Sequence, residues 1–588
     1  MKKILIISML CLFGVTGCDF LDRMPQSKLL PEDFFRTEEE MQAYSNTFYT
    51  AFPSAGLYDE QADNIIGQML IDEVRGTRVV PASGGGWSWT ALRDINTLLD
   101  YQDNCADEAV RTHYVALARF FRAYFYFGMV RKFGDVPWYD TQLSSDSKEL
   151  NRPRDSREFI MQKMLEDIDF AIKHLPSTKS LYTVTRWTAL ALKSRFTLFE
   201  GTFRKYHNID QYENDWRYYL QLCADASSEF ISKSGYGIYS TGGATAAYRN
   251  LFITAASATN EAILIRDYSS SLKVFHGAHW YLLSTSMGRP GVTKRIIDSY
   301  LMKSDGSRFT DIEGWETMTF AKEVQNRDPR LAQSIRTPGY TRYNQTAVLP
   351  PDLNLTVTGY QPTKYLGATD GDAGNKSYTD LIIFRSAEVY LNFAEAKAEL
   401  GTLTQSDLDN SIKRLRDRVG MPKLDMEAAN AHPDPYLMSA KGGYTHVTGP
   451  NTGVILEIRR ERSIELLMEG HRYYDMVRWR EGKSFEEPLY GMYFSGLGEH
   501  DLDGDGKADV CLYTGSYPDT EAMAVLKVGT DVYLSEGTKG NLYPGRNVRC
   551  VWNEERDYLY PIPTEERSLT GGILTQNPGW NDGLKFNQ

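Results

Sequence analysis

Leu117-Ala118-Arg119-Phe120-Phe121-Arg122-Ala123-Tyr124-Phe125-Tyr126-Phe127-Gly128 is the stretch whose periodicity sets the fold class. Leu117, Phe121, Tyr124 and Gly128 step by four, three and four, so they share one helix face. Aromatic and small groups on one face suit close contact with a second helix. Gly134-Asp135-Val136-Pro137 then stops the helix.

The same signature recurs outward from this segment. Phe159 to Leu175 is amphipathic and ends at Pro176. Trp187 to Phe203 places Ala189, Leu192, Phe196 and Phe199 on one face, and Tyr218 to Ser232 makes a fourth helix. Helices joined by short turns suggest stacked pairs of the tetratricopeptide kind. No strict sequence period is visible, so the repeat assignment leans on the resemblance given below. From about Gly235 to Thr379 the chain is rich in Gly, Ser, Thr, Tyr and Trp and lacks clear periods. An irregular stretch this long is usually functional or a domain of its own. Helical order returns with Phe384, Ala387, Leu391, Ala394 and Ala398, stopped by Gly401. Further helices are expected over Gln405 to Val419 and Val454 to Trp479. The chain thus divides into a leader (1–17), an N-terminal helical region (18–235), a loop-rich middle (236–380) and a C-terminal region (381–588).

Met1-Lys2-Lys3, an apolar run from Ile4, and Val15-Thr16-Gly17-Cys18 read as a secretory leader. The run is about half of what a bilayer span needs. A Cys straight after small residues resembles a bacterial lipobox. It implies that Cys18 becomes the lipid-bearing mature N-terminus, with the body held in water. The formal charge is −12, and losing Lys2 and Lys3 with the leader brings the mature body to −14. That balance argues against a nucleic-acid binder, which needs a basic footprint. Many of the 37 Tyr and 10 Trp must be structural, but so many amphipathic rings leave plenty for a binding surface. Cys105, Cys223, Cys511 and Cys550 show no CxxC spacing. Cys511 and Cys550 either pair outside the cytoplasm or stay as buried free thiols.

Arg459, Glu461, Arg462, Glu465, Glu469, Arg472, Asp475 and Arg478 alternate in sign at helical spacings. They form either a solvated ion-pair face or, when buried, an Arg–carboxylate lattice that fixes how helices dock. Catalysis by paired carboxylates is the sharper reading. It is disfavoured because Arg neighbours hold each acid ionised, whereas a general acid needs a raised pKa. GxSxG, HExxH, GxxxxGK and GxGxxG are all absent. His276 and His279 sit three apart without a third ligand, which reads as incidental.

One motif carries metal chemistry. Asp501, Asp503, Asp505 and Asp509 occupy positions 1, 3, 5 and 9 of an Asp-rich loop, and Gly506 allows its sharp turn. The Lys507 carbonyl completes an oxygen set that suits Ca²⁺. Position 12 is Leu512 rather than the Glu of an EF-hand, and no helices flank the loop. A structural calcium is therefore expected here.

Several segments resemble, in order, the SusD/RagB family of outer-membrane nutrient-uptake lipoproteins. They are Cys18-Asp19-Phe20-Leu21-Asp22, Asp33-Phe34-Phe35, Phe121 to Phe127 with Arg131 to Pro137, and Phe384 to Ala396. The strongest is Ile458-Arg459-Arg460-Glu461-Arg462 through Trp479. Tyr560-Pro561-Ile562-Pro563 and Gln576-Asn577-Pro578-Gly579-Trp580 close the series. The resemblance implies a mainly α fold, with tetratricopeptide-like helix pairs forming an α-superhelical scaffold and a loop-rich part packed on it. It implies a non-enzymatic, glycan-binding lipoprotein on the outer face of a Bacteroidota-type outer membrane. Its partner would be a SusC-like TonB-dependent transporter, to which it delivers oligosaccharide. The competing readings are peptide uptake within the same family and a surface glycoside hydrolase.

Sugar rings stack their C–H faces on aromatic rings and hydrogen-bond at the rim. Two stretches offer that mixture. One is Asp72-Glu73-Val74-Arg75 with Gly84-Gly85-Gly86-Trp87-Ser88-Trp89. Its glycines suit a loop that presents Trp87, while Trp89 is expected to begin a helix and pack in the core. The other is the middle region with His279-Trp280-Tyr281 and Trp315. The expected ligand residues are Asp72, Arg75, Trp87, Trp280, Tyr281 and Trp315.

Overall fold

The computed structural model describes residues 31–54, 57–144, 146–254 and 260–586. The leader and Cys18 lie outside the described residues.

Helix α1 (Thr90–Asp100) leads into α2 (Glu108–Phe133), which the Asp107 carboxylate caps by accepting from the Ala109 and Val110 amides. Gly134 ends α2 at φ 72°, a left-handed conformation that glycine adopts without strain. Helices α3 (Arg157–His174), α4 (Arg186–Tyr206) and α5 (Trp216–Lys233) start at Ser156, Thr185 and Asp215 caps. Each packs on the next, α2 on α3, α3 on α4 and α4 on α5. This is a superhelix of helix pairs, as the family resemblance implies. The close approach lies at Gly201, where a Cβ would meet Leu220 Cγ at 2.7 Å. Gly128 faces open space instead.

The return helix departs from its expected start. Leu381–Arg385 is a strand, β2, paired antiparallel with β1 (Ala262–Arg266). Leu381-Ile382-Ile383-Phe384 is a short apolar run buried on both faces, and pairing satisfies its backbone. Helix α6 (Ser386–Leu400) begins just after it and packs on α5, α4 and α8 (Thr452–Glu465). The segment 405–419 divides into a single turn and α7 (Ile412–Val419). The long helix expected over 454–479 breaks after Glu465 and resumes as α9 (Arg472–Arg478). Met468 and Gly470 turn the chain there with positive φ.

Among the described residues the apolar core falls into two large clusters and a small third one around Leu198, Leu220 and Ala396. The first joins α1–α6, α8 and α9. The second joins the middle region to residues 492–542, so that part of the C-terminal region packs with the loop-rich middle. Residues 498–527 form a three-stranded sheet of β3 (Gly498–His500), β4 (Val510–Tyr513) and β5 (Ala524–Lys527). β3 and β4 are antiparallel, and β4 and β5 are parallel.

The charged block is a buried lattice. Arg385 binds Glu261, Glu465 and Glu469, each at 2.7 Å. Arg330 reaches Glu461 at 2.6 Å and Glu465 at 3.0 Å, and Arg418 also pairs with Glu465. Farther along, Arg478 bridges Glu395 and Asp475, and Arg472 holds Asp63 at 2.6 Å. These bonds tie β2, α7, α8, α9 and the 58–66 segment into one block.

Candidate functional site

Residues 67–89, a ridge with Met69 and Val79 exposed, contribute lining to two clefts, Trp87 and Trp89 to one and Leu70 to the other. The Gln68 amide bonds to the Gly288 carbonyl at 2.6 Å, and Met69 stands 78% exposed beyond it. The turn Asp72–Arg75 ends at Gly76, φ 69°. The C-terminal chain fastens the ridge from below. The Val551 amide donates to Arg75 O at 3.2 Å, Tyr560 Oη donates to Glu73 at 2.9 Å, and the Thr564 amide donates to Pro81 O at 3.1 Å.

One cleft, about 690 Å³, lies between α1, the 137–151 loop and the 566–574 turn. Trp89 and Tyr139 meet edge-on at 5.3 Å on its wall. Arg93, Asn96, Lys148 and Glu566 supply polar groups, and Leu569 adds an exposed apolar edge. Burial, with Glu565 adding repulsion, raises the Glu566 carboxyl above its ordinary value. The other cleft, about 640 Å³, runs past Leu70, Glu487, Tyr543, Arg546 and Arg549. It shares Tyr543 with a smaller hollow of about 200 Å³ lined by Gln68, Arg289, Asp531 and Tyr533. Flat rings, amides and charges at the rim are what a polyhydroxylated ligand needs.

The residues singled out in the sequence occupy separate places. Asp72 and Arg75 pair with each other at 3.7 Å, part-exposed on the ridge. Trp87 lines the same cleft as Trp89 but is largely enclosed rather than presented on a loop: it is 5% exposed, with its ring edge-on to Phe133 at 4.9 Å and to Trp89 at 5.3 Å. Gly84, Gly85 and Gly86 turn the chain with positive φ just before this ring. Trp89, expected in the core, is part-exposed and forms the cleft wall. Tyr281 is a correction. It is 8% exposed, and its hydroxyl is buried with no partner among the described residues. Trp280 is part-exposed, with its ring over Gly374. Trp315 is part-exposed, edge-on to Tyr436 at 5.7 Å and with the Lys294 ammonium 5.5 Å from its ring. No ring contact joins Trp87, Trp280 and Trp315 among the described residues. Tyr139, Tyr533 and Tyr543 escaped the sequence reading because isolated tyrosines carry no local motif.

His276 and His279 are structural. His276 Nε2 bonds the Thr379 carbonyl at 2.9 Å, and His279 Nδ1 bonds Asp372 at 2.8 Å. The four cysteines at 105, 223, 511 and 550 are free thiols.

The Asp-rich loop is the turn between β3 and β4. Asp501, Asp503 and Asp509 bring one oxygen each within 4.8 Å of the others. Asp501 accepts from the Gly504 and Gly506 amides at 2.6 and 2.8 Å, and Asp509 accepts from Leu502 N at 2.7 Å. Burial, with Asp503 and Asp501 adding repulsion, raises the Asp509 carboxyl despite that Leu502 bond. The set fits a hard divalent cation, which would remove the repulsion. Asp505 instead bonds the Lys507 amide at 2.8 Å.

A family model described as the SusD family matches residues 277–580. The chain belongs to the SusD family. A second model, described as starch-binding associating with outer membrane, matches residues 87–198. SusD-like protein P2 of Formosa agariphila is 22% identical over 99% of this chain and 100% of its own length. A SusD-like protein of Bacteroides ovatus is 22% identical over 81% and 82%. Among solved structures, a SusD-like protein of Bacteroides fragilis aligns with a TM-score of 0.67 at 21% identity, covering 94% of this chain and 100% of that one. A SusD-like carbohydrate-binding protein from the same species gives 0.66 at 18% identity, covering 92% and 99%. A structure described with xylogluco-oligosaccharide gives 0.58 at 17%, covering 93% and 100%. The helix-pair scaffold of this SusD-family chain is thus the scaffold of those proteins. Among its described residues, no helix is long and apolar enough to cross a membrane.

Proposed function

We propose that this SusD-family chain is a cell-surface glycan-binding lipoprotein, held on the outer membrane by lipid on Cys18. It captures oligosaccharide and delivers it to a SusC-like TonB-dependent transporter. The observation that carries the reading is the ridge 67–89, which contributes lining to two clefts that carry aromatic rings. Trp89 and Tyr139 offer faces for sugar C–H groups on one side, and Tyr543 and Tyr533 do so on the other. Binding without bond cleavage accords with the acids of the charged block. Burial alone would raise the Glu465 carboxyl, but Arg418, Arg385 and Arg330 outweigh it and hold it well below the ordinary range. Such a group is no proton donor at neutral pH. The Asp501, Asp503 and Asp509 cluster is proposed as a structural Ca²⁺ site, carried by the convergence of its three carboxylates.

Calorimetry of the purified body against a glycan panel, with a reducing-sugar assay alongside, tests the activity. Saturable binding without sugar release is expected. Sugar release would mean an enzyme, and binding of peptides alone would shift the cargo. Cell fractionation tests the anchor, since Cys18→Ala should free the body from the membrane fraction. An affinity pull-down from native membranes should bring a TonB-dependent barrel with the wild-type protein.

A further inference from the structure

A cluster of arginines in the middle region has more buried donors than acceptors. Arg249 lies on the short helix Ala247–Ile253, and Arg336 and Arg342 flank the turn that holds Tyr340. The Arg249 and Arg336 guanidinium carbons lie 5.1 and 5.7 Å from the centre of the Tyr340 ring. Arg336, Tyr340 and Arg342 are each 6% exposed.

Each arginine is only part-satisfied. Arg249 donates to Thr341 O at 3.0 Å, and Arg336 donates to Pro350 O at 3.0 Å. Arg342 donates to both oxygens of Asp372, at 2.7 and 2.9 Å, and to Gly367 O. Arg249 Nε and Nη2, Arg336 Nε, Arg342 Nε and Tyr340 Oη remain buried without a partner among the described residues. Asp372 is already shared with His279 at 2.8 Å, and Asp352 faces Arg336. No carboxylate among the described residues faces Arg249. Arg336 and Arg342 are buried beside two acids, Arg249 is part-exposed with two buried nitrogens and no acid, and unmade charged donors are costly. Burial, with Arg342 adding repulsion, pulls the Arg249 and Arg336 guanidinium groups down from their ordinary value.

We propose that Arg249, Arg336, Arg342 and Tyr340 form an oxyanion site that takes one sulfate or carboxylate group. Guanidinium forks match the spacing of such oxygens, and the tyrosine hydroxyl adds a further donor. The group arrives either as a free ion or as the acidic substituent of a sugar. The second source rests on the capture reading; the first does not. The Asp372–His279 bond links the cluster to the helix that carries the part-exposed Trp280, where a sugar ring has a face to meet.

Crystals soaked in selenate, a sulfate analogue with an anomalous signal, should show a peak within hydrogen-bonding distance of Arg249 and Arg336. Calorimetry with sulfate at constant ionic strength should show saturable binding. Arg249→Gln should weaken it about tenfold or more. Tyr340→Phe keeps the ring and removes one donor, so it should weaken binding several-fold in a protein that still folds. A sulfated or uronic oligosaccharide that outcompetes its neutral counterpart, with the preference lost in Arg249→Gln, assigns the site to sugar substituents. Sulfate binding without that preference assigns it to the free ion. No selenate peak together with no sulfate binding overturns the site. Neutral-glycan binding that persists in that case leaves the capture reading standing.

Discussion

Arg385 donates to Glu465 at 2.7 Å across 80 residues of chain. The bond ties the start of α6 to the end of α8, and Arg418 and Arg330 bind the same carboxylate. Glu465→Ala would leave three buried guanidinium groups short of an acceptor. Removing one partner of an isolated buried pair costs about 3–5 kcal/mol, and that is the upper bound here because each arginine keeps another carboxylate. The melting temperature should drop steeply. A variant that melts with the wild type would show that the lattice adds nothing to stability.

Glu60 should set a pH dependence. Its carboxyl is raised to about 7 by burial, with the Arg472 amide working against the rise and Asp475 adding to it. One of its oxygens has no partner among the described residues. An acid whose folded value lies above its unfolded value binds its proton more tightly in the folded state. No penalty exists below the unfolded value, and it grows as pH rises toward and through about 7. At pH 8 it amounts to roughly 3 kcal/mol at most. Glu60→Gln should therefore melt higher than the wild type at pH 8 and nearly with it at pH 4. Parallel melting curves at both pH values would refute this.

How far the sequence revealed these features follows from where their cause lies. The helix pairs were legible because Leu117, Phe121, Trp187 and Phe196 act through local spacing. The break after Glu465 was not, because the apolar and charged pattern continues through it. The turn depends on Met468 and Gly470 adopting positive φ while Glu469 reaches back to Lys364 and Arg385. Phe384 likewise fits a helix by spacing, yet strand β1, distant in sequence, claims it. At the site, the glycine run was visible but its direction was not. Both rings line the cleft, but that direction encloses Trp87 to 5% exposure and leaves Trp89 part-exposed.

Calcium should stabilise the folded protein through Asp501, Asp503 and Asp509. Binding to the native state alone raises stability with the logarithm of ligand concentration. Melting in millimolar calcium should exceed melting in chelator, with half-saturation on the order of 10⁻⁴ to 10⁻³ M or tighter. Asp503→Ala should remove the shift. Asp505→Ala should remove less of it, because Asp505 lies outside the three converging carboxylates. Identical curves with calcium and chelator would rule the metal out.

The cleft walls give the sharpest functional test. Trp89 is part-exposed beside Tyr139, whereas Trp87 is enclosed by Phe133 and Trp89. Replacing a ring that stacks on sugar should cost about 1 kcal/mol or more of affinity, by comparison with aromatic contacts in proteins. Trp89→Ala and Tyr139→Ala should each weaken glycan binding while the fold, checked by circular dichroism, persists. Tyr543→Ala probes the second cleft in the same way. Trp87→Ala should act mainly on stability, lowering the melting temperature, since the lost ring leaves a core cavity worth about 3–5 kcal/mol. Trp280→Ala and Trp315→Ala test whether the middle region adds contacts of its own. If Trp89, Tyr139 and Tyr543 variants all bind as the wild type does while Trp280→Ala or Trp315→Ala does not, the ridge is not the platform and the capture surface lies in the middle region.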